Sequence, residues 1–371
     1  MAVHPPRAEA VVDLDALRHN VTLLAGRAAA SGAATMAVVK ADGYGHGAVQ
    51  VARAALQAGA TWLGSCSLAE ALVLRDAGIT APILSWLEAA DRDYAPGIAA
   101  GVDLTASSVR ELGAILDAGH PRVHLKIDTG LSRNGCPADE WPDLVETAAK
   151  AQADGRAEVV AIWSHLACAD EPGHPSVDAQ ARRFQQAYDI ATDAGLDPKR
   201  HLANSAGTLN RPDLHFDLVR VGIAMYGLNP LPGKEDLRPV LTFRSSVALT
   251  KRIARGESVS YGQIWTAPRD TTVALVPVGY ADGVPRLLSG RMDVWLAGRR
   301  RPVVGRVCMD QIVVDCGDDD VPVGAEVVLF GAGDRGAPTA TEWADTIGTI
   351  DYEIVTGMYR PRVTRTYRGA R

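Results

Sequence analysis

The sequence predicts an α/β protein in which an N-terminal (β/α)8 (TIM) barrel is followed by a mainly antiparallel β-domain. Residues 13–223 repeat a unit of roughly 20 to 35 residues, a helical pattern and then a short apolar strand. After about residue 235, short segments alternate apolar and polar residues, as in antiparallel sheets. The turn-rich linker 229–234 separates the two patterns, so the expected domains are residues 1–235 and 236–371.

Eight short apolar segments are the predicted barrel strands, and eight evenly sized repeats favour a closed barrel over a doubly wound open sheet. Ser67-x-x-Glu70 and Ser108-x-x-Glu111 are capping-box patterns that start two helices directly after strands. The predicted strands are residues 36–39, 62–65, 82–85, 102–105, 122–127, 158–163, 201–203 and 218–221. The β-domain strands are expected within residues 241–262, 272–279, 292–296, 303–307, 311–314 and 326–330.

Composition narrows the function classes. The hydrophobic share of 47% over 371 residues is ordinary for a globular protein, and a formal net charge of −6 argues against a nucleic-acid partner. No apolar segment has membrane-spanning length, and residues 1–7 show no signal-peptide hydrophobic region. The five cysteines are odd in number and far apart, which argues against a disulfide framework and against a zinc site. We therefore expect a cytoplasmic protein without a membrane partner or a bound metal.

Polar residues follow the predicted strands, at the barrel end where active sites of this fold lie. Lys40 ends the first strand and precedes a loop with three glycines. Burial lowers a lysine pKa and gives the neutral amine that Schiff-base chemistry needs, although a lysine that ends a strand and extends to water is the commoner case. The residues in question are Lys40, Ser65, Ser85, Ser107, Lys126, Asp128, Ser164, His165, Asn204, Ser205, Arg220 and Gly222.

The loops after the last two strands, residues 203–207 and 220–223, occupy the place where barrels commonly bind a phosphate. A reactive lysine on the first strand and a phosphate site on the last two would hold opposite ends of one flat cofactor. Pyridoxal 5'-phosphate fits that span.

Seven segments in this order and spacing carry a resemblance to a known family. They are residues 37–47, 126–135, 220–227, 259–262, 278–283, 305–311 and 349–354. Over nearly its whole length the chain resembles the alanine racemases, bacterial pyridoxal phosphate enzymes of fold type III. Because of this resemblance, we expect Lys40 to be a Schiff-base lysine and not merely a lysine that ends a strand and extends to water.

The resemblance implies a two-base mechanism. Lys40 is the expected Schiff-base lysine and one base, and Tyr261 is the expected second base on the opposite face of the cofactor, because one side chain does not easily reach both faces of a planar carbanion. Arg220, in a network with His165, is expected at the ring nitrogen. An arginine can only donate a hydrogen bond, so it should leave that nitrogen unprotonated.

The remaining implied roles concern binding. Arg133 and the backbone of Met309 are expected to bind the substrate carboxylate. Lys126 is expected to be carbamylated and to orient Arg133, since two unmodified cations in one pocket would repel each other. The residues expected near the substrate entrance are Tyr280, Asp170, His201, Arg286 and Arg306. Asp310 is expected in a supporting place. The expected cofactor-binding residues are Lys40, Tyr44, His165, Asn204, Ser205, Arg220, Gly222, Ile223 and Tyr352.

The resemblance also implies a homodimer with shared active sites that supplies D-alanine for peptidoglycan. Three alternatives remain at this stage: a racemase of another small amino acid such as serine, a fold-type III decarboxylase, and a non-enzymatic pyridoxal phosphate-binding protein. Arg220 argues against the decarboxylase, in which an acid would face the pyridine nitrogen. The β-domain segment 259–262 argues against the non-enzymatic protein, which consists of the barrel alone.

Overall fold

The computed structural model describes residues 6–89 and 92–370. Most of residues 1–7, the segment in which no signal-peptide pattern was found, lies outside the described residues. The chain forms two compact units, one of Leu17–Gly43 with Gly47–Leu237 and the other of the remaining residues. This division differs at the N-terminus from the expected 1–235 and 236–371, because strand β1 (Glu9–Asp13) pairs with strands of the second unit.

The first unit contains an eight-stranded parallel sheet in the order β8-β7-β6-β5-β4-β3-β2-β9. Its strands are β2 (Ala34–Val38), β3 (Trp62–Ser65), β4 (Ile83–Ser85), β5 (Asp103–Ala106), β6 (Arg122–Lys126), β7 (Glu158–Trp163), β8 (Lys199–His201) and β9 (Leu218–Val221). The two ends of this order meet: Asp217 N–H donates to the Arg200 carbonyl at 3.1 Å and Arg220 N–H donates to the Ala203 carbonyl at 3.0 Å. The expected (β/α)8 barrel is confirmed, and the open sheet is not observed.

Helices alternate with these strands as expected. They are Leu14–Ala30, Ala48–Gln57, Leu68–Asp76, Ala95–Ala99, Val109–Asp117, Trp141–Ala153, Pro175–Asp193 and Ser205–Asn210. The capping box of Ser67 and Glu70 is complete, with each side chain accepting the other residue's backbone N–H. At the second box, Ser108 accepts from Glu111 N–H, but Glu111 turns to Ser107 N–H at 2.7 Å.

The strand before the phosphate loop begins and ends two residues earlier than the predicted 201–203. Its first residues are polar and therefore did not suggest a strand. The structure gives the reason: the Arg200 guanidinium lies 4.5 Å from the ring centre of Tyr188 and 4.6 Å from that of Phe216. Because its guanidinium covers these two rings, Arg200 packs in the strand as an apolar residue would.

The second unit contains a nine-stranded, mainly antiparallel sheet in the order β11-β14-β17-β16-β15-β18-β10-β1-β19, and a two-stranded sheet of β12 and β13. The strands are β10 (Leu241–Ser246), β11 (Leu249–Ile253), β12 (Ser258–Val259), β13 (Trp265–Thr266), β14 (Thr271–Val276), β15 (Asp293–Leu296), β16 (Arg299–Val304), β17 (Ile312–Gly317), β18 (Glu326–Phe330) and β19 (Thr364–Arg368). Helices Ala340–Ile347 and Asp351–Thr356 follow β18. Phe243, Phe330 and Trp343 pack together in the core of this unit, with ring centres 5.9 and 5.0 Å apart.

Across the described ranges, no helix combines the length and the apolar character needed to cross a membrane.

Candidate active site

Lys40 is followed by a strained turn. The first four residues of this turn all have a left-handed backbone: Ala41 (φ 53°), Asp42 (φ 50°), Gly43 (φ 64°) and Tyr44 (φ 52°). Three of them are not glycine, so this conformation costs energy and needs support. Asp42 supplies it: its carbonyl accepts from Gly47 N–H and its carboxylate accepts from Ala48 N–H, both at 2.8 Å. Strain of this kind concentrates at functional sites. Here the hydrogen bonds of Asp42 fix the strained backbone beside Lys40.

The surroundings of Lys40 favour a neutral amine. Burial lowers the pKa of Lys40, the charge of Arg133 lowers it further, and Cys66 and Glu70 oppose these effects. The Nζ atom lies 6.0 Å from the ring centre of Trp86. A lowered lysine pKa increases the fraction of nucleophilic amine at neutral pH.

Arg220, in strand β9, is only 4% exposed and is held on several sides. Its Nη1 donates to the His201 carbonyl at 2.8 Å and lies 3.2 Å from His201 Nδ1. Its Nη2 donates to the carbonyls of Ser164 (2.7 Å) and Leu202 (3.1 Å) and lies 3.2 Å from His165 Nδ1. Within the described part of the chain, the Arg220 Nε–H makes no hydrogen bond. That donor is therefore available to a ligand acceptor such as a ring nitrogen.

The histidines around Arg220 are neutral. Burial first, and the nearby Arg220 charge second, hold the pKa of His165 and that of His201 well below the ordinary value. Burial lowers the pKa of Arg220 to about 9, which still leaves it charged at neutral pH. The expectation that His201 lies at the substrate entrance is wrong, because this residue is fully buried in the barrel and contacts Arg220 instead.

Lys126 is the last residue of β6 and is 5% exposed. Burial, and then the charges of Arg220 and Arg133, lower its pKa to about 8. Arg133 is exposed in the following loop, whose start is fixed by Asp128 Oδ1 accepting from three backbone N–H groups. The positive charges of Lys126 and Arg133 therefore repel each other.

The loops after β8 and β9 are tied together. Asn204 caps the helix Ser205–Asn210, with Oδ1 accepting from Gly207 N–H at 3.0 Å. The Ser205 hydroxyl oxygen accepts from Gly222 N–H at 2.9 Å and from Ala224 N–H at 3.3 Å. Four of the expected cofactor-binding residues thus belong to one hydrogen-bonded loop pair: Asn204, Ser205, Gly222 and Ile223.

The other expected residues belong to the second unit, where three loops form one surface. Tyr280 N–H donates to the Cys308 carbonyl and Ala281 N–H to the Met309 carbonyl, each at 3.0 Å. The Ser260 hydroxyl donates to the Arg306 carbonyl at 2.9 Å and thus ties the segment before Tyr261 to the same region. Tyr261 is 73% exposed in the single chain and Met309 52%.

Three further expected residues of this unit lie in defined contacts. Asp310 forms an ion pair with Arg362. Tyr44 and Tyr352, both expected at the cofactor, face each other with ring centres 6.3 Å apart.

Trp163 is a site residue that the sequence analysis missed. Its indole lies 4.3 Å from Lys126 Nζ and 4.9 Å from Arg220 Cζ. It is the last residue of β7 and directly precedes Ser164. Attention to the last residue of each strand, and not only to the residues after it, would have found it.

Known proteins share both the fold and the sequence pattern of these units. Residues 12–230 match the family model described as Alanine racemase, N-terminal domain, and residues 240–367 match Alanine racemase, C-terminal domain. The chain belongs to the alanine racemase family. It is therefore an isomerase, and the match to the second domain distinguishes it from a protein that consists of the barrel alone.

Individual alanine racemases are similar along nearly the full length. The enzyme of Salinispora arenicola is 55% identical over 372 residues, covering 98% of this chain and 99% of that protein. The enzyme of Thermobifida fusca is 52% identical and covers 98% of both. The crystal structure of alanine racemase from Streptomyces lavendulae superposes with a TM-score of 0.96 at 46% identity, covering 100% of this chain and 99% of that one.

Proposed function

We propose that this chain interconverts L-alanine and D-alanine with pyridoxal 5'-phosphate as cofactor. The substrate follows from the named activity of relatives up to 55% identical. The observation that carries the cofactor assignment is Arg220: both Nη atoms are fixed by the barrel while Nε–H stays available as a donor. A buried, oriented donor of this kind suits an unprotonated aromatic nitrogen.

The residues present fit this cofactor. Lys40 would hold it covalently through its ε-amine, and Asn204, Ser205, Gly222 and Ile223 would bind its phosphate from the loop pair at the end of the barrel. The roles of Tyr44, His165 and Tyr352 rest on the family resemblance. When bound, pyridoxal phosphate stabilises negative charge at the α-carbon of the substrate.

Two proton carriers complete the proposed chemistry. Lys40, whose pKa is lowered by burial, is able to take a proton from one face of the α-carbon. Tyr261 would serve the opposite face. Arg220 keeps its charge and donates rather than accepts, so it weakens electron withdrawal by the ring and favours simple return of the proton.

Substrate recognition is assigned to Arg133 and Met309. An arginine fork matches the two oxygens of a carboxylate, and a backbone N–H from Met309 adds a third donor. Carbamylation of Lys126 would convert its positive charge to a negative one and hold Arg133 in place. Tyr280 and Asp310 would line and support the entrance.

We further propose a homodimer with shared sites. Tyr261 and Met309 are strongly exposed in the single chain, whereas a base and a carboxylate-binding group need a site from which water is excluded. A second copy of the chain is the partner that would cover them. A cytoplasmic location and supply of D-alanine for peptidoglycan stay predictions that follow from the family.

The decisive experiment is a racemisation assay of purified protein with added pyridoxal phosphate. L-alanine, L-serine and L-lysine are supplied separately, and chiral chromatography measures the opposite enantiomer. We expect the highest kcat/KM for alanine and no product from Lys40→Ala. A higher kcat/KM for serine would instead support a serine racemase, and no product from any substrate would contradict the proposal.

A further inference from the structure

Three buried polar side chains inside the barrel form a hydrogen-bonded series that ends on Arg220. They are Asp103, His124 and His201, which are 2%, 0% and 0% exposed. His124 Nε2 lies 3.2 Å from Asp103 Oδ2, and His124 Nδ1 lies 2.9 Å from His201 Nε2. His201 Nδ1 in turn lies 3.2 Å from Arg220 Nη1. We call Asp103, His124 and His201 the imidazole bridge.

The imidazole bridge crosses the barrel interior from its amino end. Asp103 is the first residue of β5, His124 is the third residue of β6 and His201 is the last residue of β8. The first residues of parallel strands lie at the end of the barrel opposite to the active site. Asp103 is therefore connected through two imidazoles to a group at the other end of the barrel.

Arg220 dictates the direction of every hydrogen bond in the series. A guanidinium only donates, so His201 Nδ1 must accept and its proton must be on Nε2. His124 Nδ1 must then accept from His201, which places the His124 proton on Nε2, facing Asp103. The series therefore requires an acceptor at its far end, and a carboxylate fills that place.

The carboxylate is itself held by a second arginine. Arg122 Nε donates to Asp103 Oδ1 at 2.8 Å, while Oδ2 is used by His124. Arg122 is partly exposed and also pairs with Glu158. Both oxygens of Asp103 are thus engaged, which keeps the acceptor end fixed in position.

The imidazole bridge matters because no carboxylate within residues 6–89 and 92–370 pairs directly with Arg220. Among the described residues, its direct partners are three carbonyl oxygens and two neutral imidazoles. A buried cation without a counter-charge depends on the strength and orientation of its dipolar partners. A carboxylate behind an imidazole makes the far ring nitrogen a better acceptor, as outer-shell carboxylates do for metal-bound histidines.

We propose that Asp103, His124 and His201 are positioning residues that fix the rotation of the Arg220 guanidinium, so that its Nε–H points at the cofactor nitrogen. This inference rests on the proposed function and assigns a role to residues at the far end of the barrel. Loss of Asp103 would leave the two histidines free to change tautomer. His201 would then present an N–H to Arg220, and the guanidinium would rotate away.

The experiment compares paired variants in the holoenzyme. Asp103→Asn removes the carboxylate, and His124→Leu removes both ring nitrogens. His124→Gln keeps one donor and one acceptor and is the conservative rescue. Glu9→Gln is the matched control, because Glu9 is also a buried acid paired with an arginine, Arg244, but lies in the second unit.

Four quantities are measured: kcat and KM for L-alanine at saturating cofactor, the visible absorption of the bound cofactor, and the unfolding temperature. We expect Asp103→Asn and His124→Leu to lower kcat by roughly tenfold to a hundredfold and to shift the absorption, with little change in KM. His124→Gln should stay near the wild type in kcat and absorption. Glu9→Gln should lower the unfolding temperature without changing kcat or absorption. If Asp103→Asn and His124→Leu behave like Glu9→Gln, the imidazole bridge is only structural and the proposal fails.

A second measurement does not depend on whether Asp103→Asn and His124→Leu fold. Nitrogen-15 spectra of histidine-labelled wild-type protein report the tautomer of each ring, with His124→Gln identifying the His124 signal. Neutral rings protonated at Nε2 for both His124 and His201 would support the proposal, and an imidazolium or an Nδ1–H form of either would overturn it. If the wild type racemises alanine and Asp103→Asn is unaffected, only this inference is refuted. A wild type without cofactor-dependent racemisation refutes the proposed function and this inference with it.

Discussion

The indole of Trp163 and the imidazole of His201 stack nearly parallel, with an angle of 9° between their planes and 5.4 Å between their centres. The same indole contacts the cations of Lys126 and Arg220. Attraction between a cation and an aromatic face contributes ~0.5 to 2 kcal/mol. Trp163 therefore stabilises two positive charges that repel each other in a buried site.

Removal of the Trp163 ring should lower the pKa of Lys126 below its value of about 8. The ammonium form loses its attraction to the ring, and a loss of ~1 kcal/mol raises the ratio of neutral to charged amine about fivefold. Trp163→Leu should show this change and Trp163→Phe should show less of it. Buffers free of carbon dioxide keep Lys126 unmodified, and the pH dependence of its acylation, followed by peptide mass spectrometry, then measures the effect. The exposed Lys150 serves as internal control, and equal Lys126 profiles in Trp163→Leu and wild type would refute the role of the ring.

The sequence identified the residues whose position follows from one rule, that the active site of a (β/α)8 barrel lies at the carboxyl ends of its strands. Lys40, Lys126 and Arg220 lie at or near the carboxyl ends of strands whose limits were predicted within two residues. A short apolar run and its polar end are local features, so one sequence is enough to locate them. The left-handed backbone at Ala41 was not predictable, because alanine rarely adopts this conformation.

The imidazole bridge shows why other site residues could be identified only from the three-dimensional structure. Asp103, His124 and His201 are contributed by three separate strands, and two of them do not lie at carboxyl ends. Their contact depends on the register of each strand around the barrel, which a single sequence does not specify. His201 was even assigned to the entrance by resemblance, although the barrel interior surrounds it.

Lys126 should be carbamylated by carbon dioxide. Only a neutral amine reacts with carbon dioxide, and the lowered pKa of Lys126 makes this form available. With a pKa of about 8, about a tenth of Lys126 is neutral at pH 7, roughly 300-fold more than for a lysine with the ordinary value. The neutral fraction rises as pH increases through 8, so the modification should increase in the same direction. Carbon-13 spectra of protein in labelled bicarbonate should show a carbamate signal that Lys126→Ala lacks and Lys150→Ala keeps. A signal that persists in Lys126→Ala would place the modification elsewhere.

Loss of the Lys126 side chain should reduce racemisation through Arg133. We expect Lys126→Ala to raise KM for alanine, since Arg133 is no longer oriented, and a small added carboxylate such as acetate to restore part of the activity. Full activity of Lys126→Ala without the additive would contradict this role.

Lys40 should carry the cofactor. Borohydride reduction of holoprotein is expected to attach the cofactor permanently to the peptide containing Lys40, because this buried lysine has a lowered pKa. Lys126 is the competing buried lysine, so Lys126→Ala should leave the attachment unchanged. Lys40→Ala should abolish it, and an equal adduct on another peptide of Lys40→Ala would show that the assignment is wrong.

Tyr261 should serve one face of the substrate only. If Tyr261 and Lys40 act from opposite faces, each removes the α-proton from one enantiomer, and the resemblance assigns L-alanine to Tyr261 and D-alanine to Lys40. Tyr261→Phe keeps the ring but lacks the hydroxyl, and should lower racemisation by about two to four decades. It should still exchange the α-proton of D-alanine with solvent, which proton NMR in deuterated water measures. Equal loss of exchange for both enantiomers would argue against a one-face role.

Mixing two inactive variants tests whether the partner subunit supplies Tyr261. The side chain is 73% exposed in the single chain, as expected for a group that a second copy covers. In a dimer of Tyr261→Phe with Lys40→Ala, one of the two shared sites would contain both the intact lysine and the intact tyrosine. Random exchange makes half of the dimers mixed, so activity should recover to about a quarter of the wild-type value per site. Labelled subunits confirm that exchange has occurred. Absence of recovery after confirmed exchange would mean that Tyr261 acts within its own chain.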